Sequence, residues 1–342
     1  MKNRHLKQAL VIIIPLLLLF LALYLLFSQS WQQIWQQLKQ VQRGWFVLAL
    51  ALSGLYYVID ARSFQMVVRR LLPAFSWREA GDLVAMGLFM NVSTFGAGIK
   101  PAQALYLRDK GADVGESLGV LMLPYVFHKL TIVLYGIVCF ALYHDFIRSH
   151  FANQVFYIYL GYALSVMICI FLVLIFVSTH FHHWCFRLLE KIPAGERYHQ
   201  LIAKAKVSTG GMRQQVKSAL NDKLLCLRMF AVNMAKFFCW YSAFGVAFRA
   251  IGLSHLPASF GQCLATAALA QLLIGVIPMT GGMVSSEVVF VLLFSIIAGH
   301  VAAGSAMLVF RMATYYVPVL LSCFYTLALY WHKRQAQSKV SA

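Results

Sequence analysis

Charge is the scarcest commodity in this chain. Asp and Glu together number 11 in 342 residues, and all four charged types make up 12%, about half of what a soluble domain carries. With 61% hydrophobic residues and a mean hydropathy of +0.72, that shortage excludes a soluble globular protein. The seven cysteines, at 139, 169, 185, 226, 239, 263 and 323, form no CxxC pair, and thiols within apolar runs behave as small hydrophobes. No disulfide is expected. His180, His182, His183 and Cys185 have no second Cys/His group to complete a metal set, so no metal is expected either. There is no Walker loop, no dinucleotide fingerprint and no Ser-His-Asp order. No cofactor is therefore assigned.

What the chain does have is apolar runs of about 20 residues along its whole length. The expected fold is an all-α polytopic membrane protein with about six full spans: 8 to 27, 45 to 66, 116 to 143, 155 to 178, 226 to 250 and 303 to 330. The first has a basic start, but its core is long for a signal peptide and Ser28-Gln29-Ser30 is a poor cleavage site, so an uncleaved anchor is expected. Trp31, Ile34, Trp35, Leu38 and Val41 recur at helical spacing among glutamines, which describes a short helix in the outer interface. The organisation is then an anchor with interfacial helix (1–44), a first repeat (45–143), a connecting helix with a basic loop (144–225), a second repeat (226–330) and a tail (331–342).

The net charge of +18 is sorted by membrane side, which argues against a nucleic-acid partner. With both ends in the cytoplasm, 22 Lys and Arg fall on cytoplasmic pieces, Lys100 among them, against Lys39, Arg43 and Arg148 outside. That asymmetry follows the positive-inside rule strongly, with both termini on the cytoplasmic side. The basic segment 179–228 would rest on anionic headgroups.

Two segments break the pattern of full spans. In 81–111 a short apolar run meets Asn91-Val-Ser-Thr-Phe-Gly-Ala-Gly-Ile-Lys-Pro101; in 259–298 another meets Ile277-Pro-Met-Thr-Gly-Gly-Met-Val-Ser-Ser-Glu287. Neither arm of either segment is long enough to cross, and non-helical backbone at that depth survives only inside protein or beside a wet cavity. Both read as re-entrant hairpins, entering from opposite sides as halves of an inverted repeat. Aligning Gly96 and Gly98 with Thr280, Gly281 and Gly282 sets Gln103 opposite Glu287. The next spans then offer Lys129 and Arg311, 31 and 29 residues after the last glycine.

The ionisable groups at depth are Asp60, His128, Lys129, Lys236, Glu287 and Arg311. Each costs about 2.5 to 3.5 kcal/mol on insertion scales, so each needs a partner or a wet cavity. Glu287 with Arg311, and Asp60 with Lys236 or Lys129, are the available structural pairs. The cation surplus and two half-helix N-termini favour a phosphate-bearing ligand. The candidate binding and translocation set is these six with Asn91, Gly96, Gly98, Gln103, Pro278, Thr280, Gly281 and Gly282. Gly115, Gly119, Gly136, Gly299 and Gly304 are expected at close helix contacts. No catalytic residue is assigned.

Ile277 to Glu287, followed by Phe310-Arg-Met-Ala-Thr-Tyr-Tyr-Val-Pro318, resembles the second signature of the lysylphosphatidylglycerol synthase/flippase transmembrane family. Asn91 to Gly98 with Ala104-Leu-Tyr-Leu-Arg-Asp-Lys-Gly111 is similar to the first, and the likeness covers about 45 to 330. It implies a lipid-translocating module, moving aminoacylated phosphatidylglycerol in the best-known members and so blunting cationic antimicrobial peptides. It also gives Glu287 and Arg311 the positions of the family's acid and base. Two departures bear on the substrate: the first hairpin usually carries an acid where Pro101 and Gln103 stand, and the next span usually offers Glu-Arg where this chain has His128-Lys129. The aminoacyl-transferase domain of bifunctional relatives is not expected in a chain whose largest polar segment is about 50 residues. Membrane lipids are the expected partners, with a homo-oligomer and a separate lipid-modifying enzyme left open. Two other readings remain: an intramembrane lipid transferase using Glu287 and His128 as acid and base, and an accessory subunit that anchors a partner through the basic loop.

Overall fold

A computed structural model describes residues 30–94, 96–190, 213–253, 258–274 and 283–340. Every element among them is helical. In chain order these are α1 (Trp31–Lys39), α2 (Arg43–Val68), α3 (Trp77–Thr94), α4 (Ile99–Arg108), α5 (Val114–Leu142), α6 (His144–His150), α7 (Val155–Val177), α8 (Thr179–Glu190), α9 (213–221), α10 (Lys223–Ala250), α11 (Phe260–Ile274), α12 (Met283–Ala298), α13 (His300–Arg311) and α14 (Val317–Val340). Five helical stretches are long and apolar enough to cross a membrane: Arg43–Val68, Val114–Leu142, Ala152–Ile175, Lys223–Ala250 and His300–Thr326. They coincide with five of the six expected spans. The first, 8 to 27, lies outside the described residues.

The frame is the antiparallel pair α2 and α10, the most extensively packed helices of the structure. At one end Arg70, just past α2, pairs with Asp222 at 3.0 Å; at the other the Gln42 amide donates to the Ala250 carbonyl at 2.8 Å. Asp222 also caps α10 by accepting from the Leu225 amide at 3.0 Å, satisfying one of the donors that a helix start leaves open.

Two helical hairpins pack on this frame. In the first, α3 and α4 run back along one another, held by Gln103 Nε2 donating to the Leu83 carbonyl (2.8 Å) and by the Tyr106 hydroxyl on Asp82 (2.7 Å). In the second, α11 packs on α12, and the turn joining them lies outside the described residues. The base of the first hairpin, at Phe75 and Ser76, adjoins the Arg70 end of the frame, whereas the second begins at Ser259, just beyond the Ala250 end.

Both hairpins open on the same local device. Ser76 and Glu79 form a reciprocal box, the Ser76 amide donating to Glu79 (2.7 Å) and the Glu79 amide to the Ser76 hydroxyl (3.2 Å). Ser259 and Gln262 repeat it at 2.7 and 3.3 Å. This is the S-x-x-E/Q capping box, and it recurs 22 residues before Gly98 and 23 before Gly282.

Two cores result. The larger is built from Phe237, Tyr241, Phe244 and Phe248 of α10 against Phe290, Phe294 and Phe310, with the alanines of α11 beside them. Ile34 of α1 is fully buried in it, while Trp31 and Trp35 stay about half exposed. The smaller core joins α2, the first hairpin, the N-terminal half of α5 and Met229 of α10. Gly136 is a close-packing position: an added Cβ would come within 2.6 Å of the Tyr162 hydroxyl and 3.0 Å of Leu272. Gly299 is not. Its φ of +81° with open space around it makes it the left-handed turn from α12 into α13, a conformation that strains any residue with a Cβ.

Candidate functional site

The first break is a tight turn built by its own side chains. The Thr94 hydroxyl donates to the Met90 carbonyl (2.6 Å) and accepts from the Gly98 amide (2.8 Å), and the Gly96 amide bonds the Asn91 carbonyl at 3.1 Å. Gly96 has φ +85°, open to glycine at little cost. Pro101 falls in the first turn of α4, where its missing N–H costs nothing.

Beside this turn lies a cavity of about 560 Å³ between α2, the first hairpin, α5, α10, α11, α12 and α13. Its polar wall includes Asp60, Asn91, Lys100, Gln103, His128, Gln271 and Arg311, and its aromatic wall includes Tyr56, Tyr57, Phe64 and Trp240. Helical spacing explains the grouping. Tyr57, Asp60 and Phe64 stand at i, i+3 and i+7 on α2, and Lys100 and Gln103 at i and i+3 on α4, so each helix turns one face inward.

Two ion pairs meet at this cavity. Lys236, 2% exposed, holds Asp60 at 2.9 Å and reaches His128 Nδ1 at 3.5 Å, with its ammonium over the Tyr56 ring. Arg311 Nε holds Glu287 at 2.7 Å, both nearly buried, with its guanidinium over Tyr315. Removing one member of such a pair would strand the other charge in a low dielectric.

Immediately after Arg311 the helix widens into a π-helical turn, Met312–Tyr316. Pro318 has no N–H to give the Thr314 carbonyl four residues back, and the Tyr57 hydroxyl takes that acceptor at 2.8 Å. The widened turn beside Arg311 is thereby tied to α2, on the face that carries Asp60.

The structure thus brings Asp60, Asn91, Gln103, His128, Lys236, Glu287 and Arg311 to one place, with Gly96 and Gly98 in the turn next to it. Gln103 and Glu287, matched by the repeat, are 1% and 4% exposed. Lys129 does not join them. One residue on from His128, it is rotated about 100° round the helix and faces a separate cleft with Ser165 and Cys169. Pro278, Thr280, Gly281 and Gly282 lie outside the described residues. Lys100, counted from sequence with the cytoplasmic charges and not among the ionisable groups at depth, lines the cavity, with its ammonium 5.1 Å from the centre of the Phe64 ring. The proline that follows it, a first-turn helix signal, was the clue.

A second, apolar groove of about 830 Å³ runs between α2, α3 and α14 and shares Tyr57, Val84 and Leu88 with the polar cavity. Trp77, Arg78 and Tyr325 stand along it, and the Tyr325 hydroxyl donates to Asp82 at 2.7 Å. A charged chamber and an apolar slot with a common wall can hold an amphiphile, its polar end on the ion pairs and its chains in the slot.

No curated protein matches the chain. The family model of the lysylphosphatidylglycerol synthase TM region matches residues 11–322, nearly the whole length. The chain belongs to the lysylphosphatidylglycerol synthase transmembrane family.

Proposed function

We propose that this protein is a lipid translocator of the bacterial cytoplasmic membrane, with six spans, two re-entrant hairpins of opposite entry and both termini in the cytoplasm. A phosphate-bearing headgroup enters between the hairpins and is held by Lys100, beside the ion-paired Arg311 and Lys236, while its acyl chains stay in the apolar groove or the lipid. The family name raises aminoacylated phosphatidylglycerol as one candidate cargo, and with it a part in resistance to cationic peptides. Rocking of one repeat against the other alternates access, as in other inverted-repeat transporters.

The observation that carries this reading is the shared wall of Tyr57, Val84 and Leu88 between a cavity containing ionic groups and an apolar groove. Buried charge near mid-bilayer marks substrate pathways, and the hairpin bases at opposite ends of the α2–α10 frame suit entry from two sides.

The test uses liposomes carrying an acyl-labelled phospholipid whose sidedness is read by an impermeant quencher. Full-length protein should speed equilibration well above protein-free vesicles, and Arg311→Ala should slow it. Glu287→Gln/Arg311→Met, which removes both charges together, controls for misfolding. Equal rates with and without protein would sink the proposal. Total lipid composition in cells lacking the protein should stay unchanged while leaflet distribution shifts; a changed composition would favour an enzyme.

A further inference from the structure

Three basic side chains meet two carboxylates at the cavity, and their pairing leaves one charge over. Lys236 is held by Asp60 and Arg311 by Glu287. Among the described residues no carboxylate forms an ion pair with Lys100. Its ammonium donates to the Gln103 amide oxygen at 3.3 Å and sits over the Phe64 ring, and both contacts orient a cation without neutralising it. Gln103 is fixed in turn, since its amide nitrogen donates to the Leu83 carbonyl at 2.8 Å and leaves the oxygen turned toward Lys100. His128 presents Nδ1 to the Lys236 ammonium, where a ring nitrogen accepts rather than donates.

We propose that this single positive surplus selects the cargo: the cavity takes a lipid headgroup with one net negative charge, a phosphodiester whose oxygen rests on Lys100, over zwitterionic or net cationic headgroups. The inference rests on the translocator reading and narrows it, setting aside aminoacylated phosphatidylglycerol, whose added ammonium removes the net negative charge. An ammonium in the headgroup would need a carboxylate, and both are already engaged. Drawing Asp60 or Glu287 away would leave Lys236 or Arg311 uncompensated in a low dielectric. A second negative charge on the ligand would likewise find no free cation. The groove that adjoins the cavity through Tyr57 and Leu88 makes the phosphodiester a lipid's rather than a free ester's. Lys100 is then the specificity-determining residue, and the neutral amide of Gln103 keeps its charge available.

The experiment measures equilibrium binding to the detergent-solubilised full-length protein of three probes: short-chain phosphatidylglycerol, short-chain phosphatidylethanolamine, and the soluble deacylated glycerophosphoglycerol. Phosphatidylglycerol should bind at least about tenfold more tightly than either of the others, a difference that one desolvated charge contact can supply. Lys100→Gln should abolish the preference over phosphatidylethanolamine. Gln103→Glu, which adds a carboxylate beside Lys100, should reverse it. Thermal melting of each variant reports folding, and Lys100→Gln leaves the Gln103 bond to Leu83 in place. Equal binding of the two lipids by the wild-type protein, a preference that survives Lys100→Gln, or equal binding of the deacylated probe would each overturn the inference. Lipid transport without headgroup preference would overturn this inference alone, whereas selective binding without transport would overturn the translocator reading and leave the charge selection standing.

Discussion

Asp60 and Lys236 show how a residue that is costly by itself becomes tolerable in a pair. Either charge alone at membrane depth is expensive, yet at 2.9 Å, with His128 and the Tyr56 ring closing the ammonium's surroundings, the two neutralise one another. Replacing one member of a buried pair costs about 3 to 5 kcal/mol, and replacing both with apolar or neutral groups much less. Lys236→Met alone should therefore lower the thermal midpoint sharply, and Asp60→Asn/Lys236→Met should recover most of the loss. Equal midpoints for the single and double variants would show that the pair is not coupled. Tyr57 supplies a second case. Tyr57→Phe strands the Thr314 carbonyl that Pro318 cannot serve, a loss of about 1 to 3 kcal/mol to be read by chemical or thermal unfolding; an unchanged midpoint would mean the carbonyl finds another donor.

At the scale of the element, the hairpins depend on how they start and how they close. Ser76→Ala and Ser259→Ala should each cost about 1 kcal/mol, and because the boxes lie on different hairpins with no shared partner the double variant should show the sum. The first hairpin is also closed at its base by Lys110 on Glu79, at 2.5 Å. That ammonium, with the Ser76 amide behind it, holds the Glu79 carboxyl below its ordinary value; the Leu225 amide and then Arg70 do the same for Asp222 at the start of α10. For a carboxyl depressed in the folded state, the stabilisation is present above the unfolded value and is lost as pH falls through the folded one. The thermal midpoint should accordingly drop between about pH 5 and pH 2, and Glu79→Gln should melt lower at neutral pH while losing part of that slope. A slope unaltered by the substitution would place the acid sensitivity elsewhere.

At the scale of the whole molecule, the proposed repeat sets two helical hairpins on one antiparallel frame, α2 and α10. If the hairpins enter from opposite sides, a cysteine at position 76 should react with an impermeant thiol reagent only from the cytoplasmic side and one at 259 only from the outside, in a background without the natural cysteines. Labelling of both from the same side would break the inverted arrangement. The halves also differ where the sequence departs from the family pattern. Glu287 ties its hairpin to Arg311 by an ion pair, whereas Gln103 ties its own through an amide to Leu83 and Lys100. Any symmetry between them is one of position rather than of charge, and the proposed surplus among the described residues follows from that difference.

The sequence alone determined the class and the cast. Apolar runs of the right length placed the five described helices that are long and apolar enough to cross a membrane; Gly96, Gly98 and the polar tip placed the first break; and the cost of buried charge made partners of Glu287 with Arg311 and of Asp60 with a lysine. It could not determine which lysine, nor that Lys100 faces inward and Lys129 away. In a soluble helix the contrast between polar and apolar faces shows which side is buried. Here α5 and α10 are apolar nearly all round because lipid and protein interior make the same demand, so the inward face carries no hydrophobic signature. Only the packing of α2 against α10 and of the hairpin against both fixed the rotation of each helix, and with it which charges meet.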